Sequence, residues 1–144
     1  MSLSHDQLHA SCVEISGKAI LITGLSGSGK SDLSLRLIDR GAVLISDDQT
    51  MLRREKGQIW ASAPDSLRGK MEVRGLGVCD FKFSETAPVA LIVELSTVVE
   101  RFPMDRAKRK VLDIEFDVIK IDAMQASAPI KLEIALANVQ SSQP

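Results

Sequence analysis

Tyrosine is absent from these 144 residues, and one Trp and four Phe are the only aromatics. The core must therefore be aliphatic, and stacking platforms for single-stranded nucleic acid have little to be built from. An excess of one charge is missing too. The 18 basic and 19 acidic residues leave a formal net charge of −1, which gives no overall field for a polyanion. There are only two cysteines, Cys12 and Cys79, without metal-ligand spacing; both stand among apolar residues and read as buried core thiols. No apolar stretch approaches membrane-spanning length, and Met1–Gln7 is polar with no signal-like apolar segment. Neither nucleic acid nor membrane is expected as a partner. The length suits one domain with a proper core, and no repeat or linker divides it.

What is present is concentrated at Gly24-Leu25-Ser26-Gly27-Ser28-Gly29-Lys30-Ser31, which fits the phosphate-binding pattern G-x-x-x-x-G-K-[ST]. The glycines allow backbone turns that aim successive N–H groups at a polyphosphate. Lys30 adds a point charge, and Ser31 offers a hydroxyl to Mg²⁺ at the positive end of a helix. The flanks agree. Ala19–Thr23 is a β-branched apolar run, Asp32–Arg40 has a broad apolar face from Leu33, Leu35, Leu37 and Ile38, and Gly41 is placed to end the helix. A nucleotide requirement fits a cytoplasmic protein.

Around this unit the chain reads mostly as short strands. Residues 1–7 are expected to be a disordered tail, Cys12–Ile15 a strand, and Ser16-Gly17-Lys18 a hairpin turn into the strand before the loop. Ala42–Ile45 predicts a buried strand. Thr50–Arg53 and Gln58–Ala61 flank Glu55-Lys56-Gly57 as a second hairpin, and Ala63–Lys70 reads as a loop. Met71–Arg74 alternates until Gly75-Leu76-Gly77 breaks it, and Val89–Leu95 is the longest apolar strand candidate. The basic stretch Arg101–Lys110 suggests an exposed loop or short helix. Leu112–Glu115 and Val118–Ile121 are two short strands. Pro129–Val139 predicts an amphipathic helix with Ile130, Ile134 and Ala137 on one side, followed by a tail at 140–144. One clear helix followed by many strands implies an α/β domain with a mixed, largely antiparallel sheet rather than a parallel doubly wound one.

Asp47-Asp48 ends the first strand after the P-loop helix. Mg²⁺-supporting carboxylates of P-loop enzymes also end apolar strands, and an adjacent pair can divide metal support from proton acceptance. Glu94, near the end of the Val89–Leu95 run, is the competing candidate for the metal-supporting acid; it would make the chain an ordinary P-loop NTPase.

Taken together, these segments resemble the catalytic domain of HPr kinase/phosphorylase. The resemblance runs over residues 8–139: Leu8-His9 before a strand–Gly–strand unit, Leu21 through Ser31, the helix ending Arg40-Gly41, Leu44–Asp48, Met71-Glu72-Val73-Arg74-Gly75-Leu76-Gly77, Leu112–Glu115 and the terminal helix. It implies a P-loop kinase domain of the HPr kinase/PEP carboxykinase type, in a short form without an N-terminal domain. It also implies an ATP- and Mg²⁺-dependent kinase acting on a serine of the phosphocarrier HPr, reversible by phosphorolysis, and a hexameric homo-oligomer. By the resemblance, Lys30 contacts phosphates, Ser31 binds Mg²⁺, Asp47 is the base, Asp48 lies by the metal, Glu72 stands near the metal, and His9 faces the transferred phosphate. The family's Arg-Pro-Gly-Arg-Asn-like loop is replaced by Asp122–Pro129, which has no arginine. Two other readings stay open: a small-molecule P-loop kinase or NTPase, and a non-catalytic nucleotide-binding regulator.

Overall fold

The computed structural model describes residues 4–105 and 107–142. The chain runs β1 (His5–Leu8), β2 (Ala10–Ile15), β3 (Lys18–Thr23), α1 (Lys30–Asp39), β4 (Val43–Ser46), β5 (Thr50–Glu55) and β6 (Gln58–Ser62). It continues through one 3-10 turn (Asp65–Leu67), β7 (Lys70–Val73), β8 (Gly77–Asp80), β9 (Ala87–Leu95), β10 (Ala107–Val111), β11 (Ile114–Ile121) and α2 (Ala128–Ser142).

Nine strands make one sheet in the order β1-β5-β6-β9-β3-β2-β4, with β11 alongside β9 and β10 outside it; β7 and β8 form a separate hairpin. Among the described strands only β3–β9 and β9–β11 pair in parallel, beside one isolated parallel bridge from Leu44 to Phe83. The other pairings are antiparallel, so the mixed, largely antiparallel α/β architecture expected from the sequence is the one found.

Strand alternation divides the core. Ile20 and Ile22 of β3 face α1 and α2, packing with Leu33, Leu37, Leu91, Val93, Leu132 and Leu136. Ala19 and Leu21 face the opposite side with Cys12, Ile45, Leu52, Ile59, Ile92 and Val111. The topology also sets the site. Strands β3 and β4 are both antiparallel to β2, β9 is parallel to β3, and β11 is parallel to β9. Their C-terminal ends therefore share one edge, which the start of β2 also reaches. Open sheets present ligand sites at such an edge.

Several expectations are corrected. Residues 5–7 belong to β1, which pairs with Thr50–Arg53; its polar, exposed side chains hid a strand held by backbone bonds, and residues 1–3 lie outside those described. The basic segment contains β10, an edge strand whose Lys108 bonds Asp117 across to β11; edge strands tolerate such charges. Leu112 and Asp113, both at positive φ, form the turn, and Ile114–Ile121 is one continuous strand. The Gly75–Gly77 break is the bend of the β7–β8 hairpin.

Helix α2 begins at Ala128 and runs to Ser142, through residues expected as tail; 143–144 lie outside those described. Its buried stripe is Ala128, Leu132, Ala135, Leu136 and Val139, while Ile130 and Ile134 are 44% and 56% exposed. With apolar residues on every side, the helix buried the longer 128-132-135/136-139 stripe. Cys12 is buried, but Cys79 is only half-buried on β8. Burial pushes the Cys12 thiol well above its ordinary pKa.

Candidate active site

The P-loop leaves β3 at Thr23 and enters α1 at Lys30. Thr23 is pinned by its hydroxyl, which donates to the Val93 carbonyl at 3.0 Å. A Cβ on Gly24 would stand 2.6 Å from Ser28 Oγ and 3.2 Å from Leu95 Cβ, so the chain closes on itself there and glycine is required. Gly29 caps α1 at φ 103°, a left-handed conformation that L side chains resist. The helix ends at Gly41 (φ 110°), where Gly41 N–H bonds the Ile38 carbonyl and Ala42 N–H that of Leu37, a Schellman arrangement.

Lys30 is 5% exposed. Its ammonium donates to the Gly24 and Leu25 carbonyls at 3.0 and 3.2 Å. Among the described residues no carboxylate pairs with it. A buried cation held by loop carbonyls, without an acid partner, is electrostatically suited to an anion. In the same loop, Ser28 Oγ is buried and has no hydrogen-bond partner among the described residues.

Asp47 and Asp48 follow β4 at the same edge. Ser31 donates its hydroxyl to Asp47 Oδ1 at 2.6 Å, and Ser11 donates to the same oxygen at 3.0 Å. Asp48 N–H donates to Ser11 Oγ at 3.1 Å. The turn is closed by Gln49 N–H on the Asp47 carbonyl at 2.8 Å, with Asp48 at φ +68°, the sign of a strained γ-turn. The Ser46 hydroxyl bonds the Gln49 carbonyl, and that of Thr50 the Ala10 carbonyl. Strain of this kind persists only where the surroundings hold it this firmly.

His9 is the single residue between β1 and β2. Its Nε2 stands 3.3 Å from Asp48 Oδ1. The structure thus brings together Lys30, Ser31, Asp47, Asp48 and His9. It does not join Glu72 to them: Glu72 is exposed on β7, opposite Val78, and among the described residues no hydrogen bond or ion pair links it to Ser31 or either aspartate. Among the described residues no three of His, Cys, Asp or Glu gather to hold a metal. Mg²⁺ that arrives on nucleotide phosphates needs only one or two protein oxygens, and Ser31 beside Asp47 fits that requirement. Glu94 is exposed on β9, in register with Thr23 and Lys120. It lines a cavity of about 690 Å³ with Gly24, Leu25 and Arg109.

Sequence reasoning missed Ser11 and Arg36. Ser11 is fully buried on β2 between the apolar Ala10 and Cys12, and a polar residue in that apolar setting was its only signal. Arg36, on α1, donates to the carbonyls of Ala123 and Gln125 and pairs with Asp32 at 3.1 Å. It thereby holds the loop after β11 close to the P-loop, where Ala123 Cβ would lie 3.2 Å from a Cβ on Gly29.

The chain matches the family described as HPr Serine kinase C-terminal domain over residues 2–143. It is 35% identical over 131 residues to the HPr kinase/phosphorylase of Chlorobium limicola, covering 81% of this chain and 40% of that protein. The HPr kinase/phosphorylase of Ralstonia nicotianae is 36% identical over 144 residues, covering 91% of this chain and 44% of that one. The solved structure of the Hpr(Ser) kinase/phosphatase from Coxiella burnetii has a TM-score of 0.82 at 28% identity, over 94% of this chain and 91% of that one. The chain spans less than half the length of these curated relatives.

Proposed function

This chain belongs to the family of the HPr serine kinase C-terminal domain, and from that premise we propose that it is an ATP- and Mg²⁺-dependent kinase that phosphorylates a serine of HPr. The observation that carries the reading is the 2.6 Å hydrogen bond from Ser31 to Asp47, which ties the phosphate loop to the carboxylate turn. Phosphoryl transfer needs positioning and charge neutralisation more than covalent chemistry. Lys30 and the loop amides would hold the β- and γ-phosphates. Ser31 and Asp47 would hold Mg²⁺, which supplies further neutralisation when bound.

The geometry supports exchanging the roles that the resemblance gives the two aspartates. Asp47 Oδ1 already accepts two hydroxyls, one from Ser31, and is suited to metal support. The side chain of Asp48 is 57% exposed, faces His9 and is free to meet an incoming hydroxyl. Asp48 then accepts the seryl proton, with His9 orienting it. Glu72 enters the reading only through the family resemblance, as an acid that would move toward the metal. A cytoplasmic location and a hexameric assembly belong to the same proposal.

Incubation with Mg-ATP and HPr, followed by mass analysis, should show one phosphoserine on HPr. No transfer to HPr together with phosphorylation of a small metabolite would overturn the reading. The reverse reaction, read as pyrophosphate released from phospho-HPr and inorganic phosphate, should be slower than the forward one. The loop of residues 122–127 beside Gly29 brings no cation of its own to the edge.

A further inference from the structure

We propose that Ser11 is a positioning residue, which sets both aspartates against the P-loop and thereby makes the Mg²⁺ position. The inference rests on the kinase reading for its functional consequence and on β2 geometry for its substance. Ser11 is wholly buried in β2, the strand between β3 and β4. One hydroxyl has a single proton, so its two contacts fix its orientation. It donates to Asp47 Oδ1 at 3.0 Å and accepts from Asp48 N–H at 3.1 Å.

Those bonds hold the carboxylate of one aspartate and the backbone of the next. The second matters because Asp48 sits at φ +68°, a conformation that persists only when its surroundings impose it. The first matters because Asp47 Oδ1 also takes the Ser31 proton at 2.6 Å. With its proton committed there, Ser31 keeps its lone pairs for a cation. Ser11 touches neither nucleotide nor metal in this arrangement; it acts through Asp47 and Asp48.

The test is calorimetry of ATP binding to the whole chain, in EDTA and in MgCl₂, beside transfer kinetics. In Ser11→Ala, ATP affinity in EDTA should stay within about 2-fold of wild type, because the P-loop is untouched. The gain in affinity that Mg²⁺ gives wild type should fall about 10- to 100-fold, the usual range for outer partners of metal ligands. The turnover number should fall with it, while KM for HPr holds. Ser11→Thr restores a hydroxyl and should recover both quantities.

An unchanged Mg²⁺ gain in folded Ser11→Ala overturns the proposal. So does a loss in Ser11→Thr as large as in the alanine variant, since packing rather than the hydroxyl would then be responsible. Should Ser11→Ala fail to fold, the near-isosteric Ser11→Cys, a weak donor, must lose most of the gain, and retention overturns the proposal. Wild-type protein that binds Mg-ATP but transfers nothing to HPr overturns the substrate reading alone, and the calorimetric comparison still decides Ser11.

Discussion

The two flanks of the P-loop are built by different means. On the β2–β4 flank, side-chain oxygens converge: Ser11 and Ser31 on Asp47, and His9 against Asp48. On the β9–β11 flank the contacts run to backbone: Thr23 to the Val93 carbonyl, and Arg36 to the carbonyls of Ala123 and Gln125. The first flank sets ionisable groups where a phosphoryl group would pass. The second fixes the loop's position through backbone contacts, and its acid Glu94 lines the cavity beside Gly24 and Leu25 without joining the aspartates. A site of this kind separates the groups that react from those that hold the frame rigid, and each can be broken alone.

Lys30 lies between the flanks, and its loss should produce the largest effect. Lys30→Ala removes the buried ammonium that the Gly24 and Leu25 carbonyls hold. Electrostatic groups of this type are worth about 10²–10³ in turnover. Transfer should fall by at least that much and ATP affinity should weaken, as read by calorimetry and phosphoserine mass. Unchanged affinity and rate would remove the P-loop assignment.

The next effect divides the acidic flank. Asp48→Asn should cut transfer by about 10²–10⁴ with nucleotide and Mg²⁺ binding intact, the loss expected of a general base. Asp47→Asn should instead reduce the affinity that Mg²⁺ adds to ATP. If Asp47→Asn abolishes transfer with Mg²⁺ binding untouched, the roles return to those the family resemblance gave.

Much of the first flank was legible in the sequence. Gly24–Ser31 and Asp47-Asp48 are local patterns, and each sits after an apolar strand that periodicity identifies. Their meeting also follows once β3 and β4 are both antiparallel to β2. Ser11 was not legible, because its importance lies in two bonds across 36 and 37 residues of chain. The second flank was harder. Strand β10 carries Lys108, Arg109 and Lys110, and no alternation of hydrophobicity marks an edge held by backbone pairing. Strand β1 was missed for the same reason. In α2, apolar residues around the whole helix made its buried face ambiguous, and tertiary packing decided it.

Arg36 offers a smaller and purely structural break of the second flank. Arg36→Ala takes the Arg36 donor from the Ala123 carbonyl and leaves the Gln125 carbonyl with the Ala128 N–H alone. Hydrogen bonds to a charged group contribute about 1.5–3 kcal/mol each at most, and exposure of the Gln125 contact lowers the sum. A loss of about 1–2 kcal/mol in denaturant unfolding is expected. Amide exchange should accelerate at Met124 and Gln125, while exchange at Asp48 and Gln49 stays slow. Faster exchange in both places would mean that the flanks are mechanically one unit.

The smallest expected effect tests which face of α2 supports that second flank. Ile134 is 56% exposed, whereas Leu136 is 2% exposed and packs against the sheet with Leu91 and Val93. Ile134→Gln should change stability by no more than about 0.5 kcal/mol, as surface substitutions usually do. Leu136→Ala, as the reference in the same unfolding experiment, should cost about 2–5 kcal/mol through lost burial and the cavity left behind. A large loss from Ile134→Gln that depends on protein concentration would show that copies of the chain cover this face in solution. The second flank would then be braced by assembly as well as by its own helix.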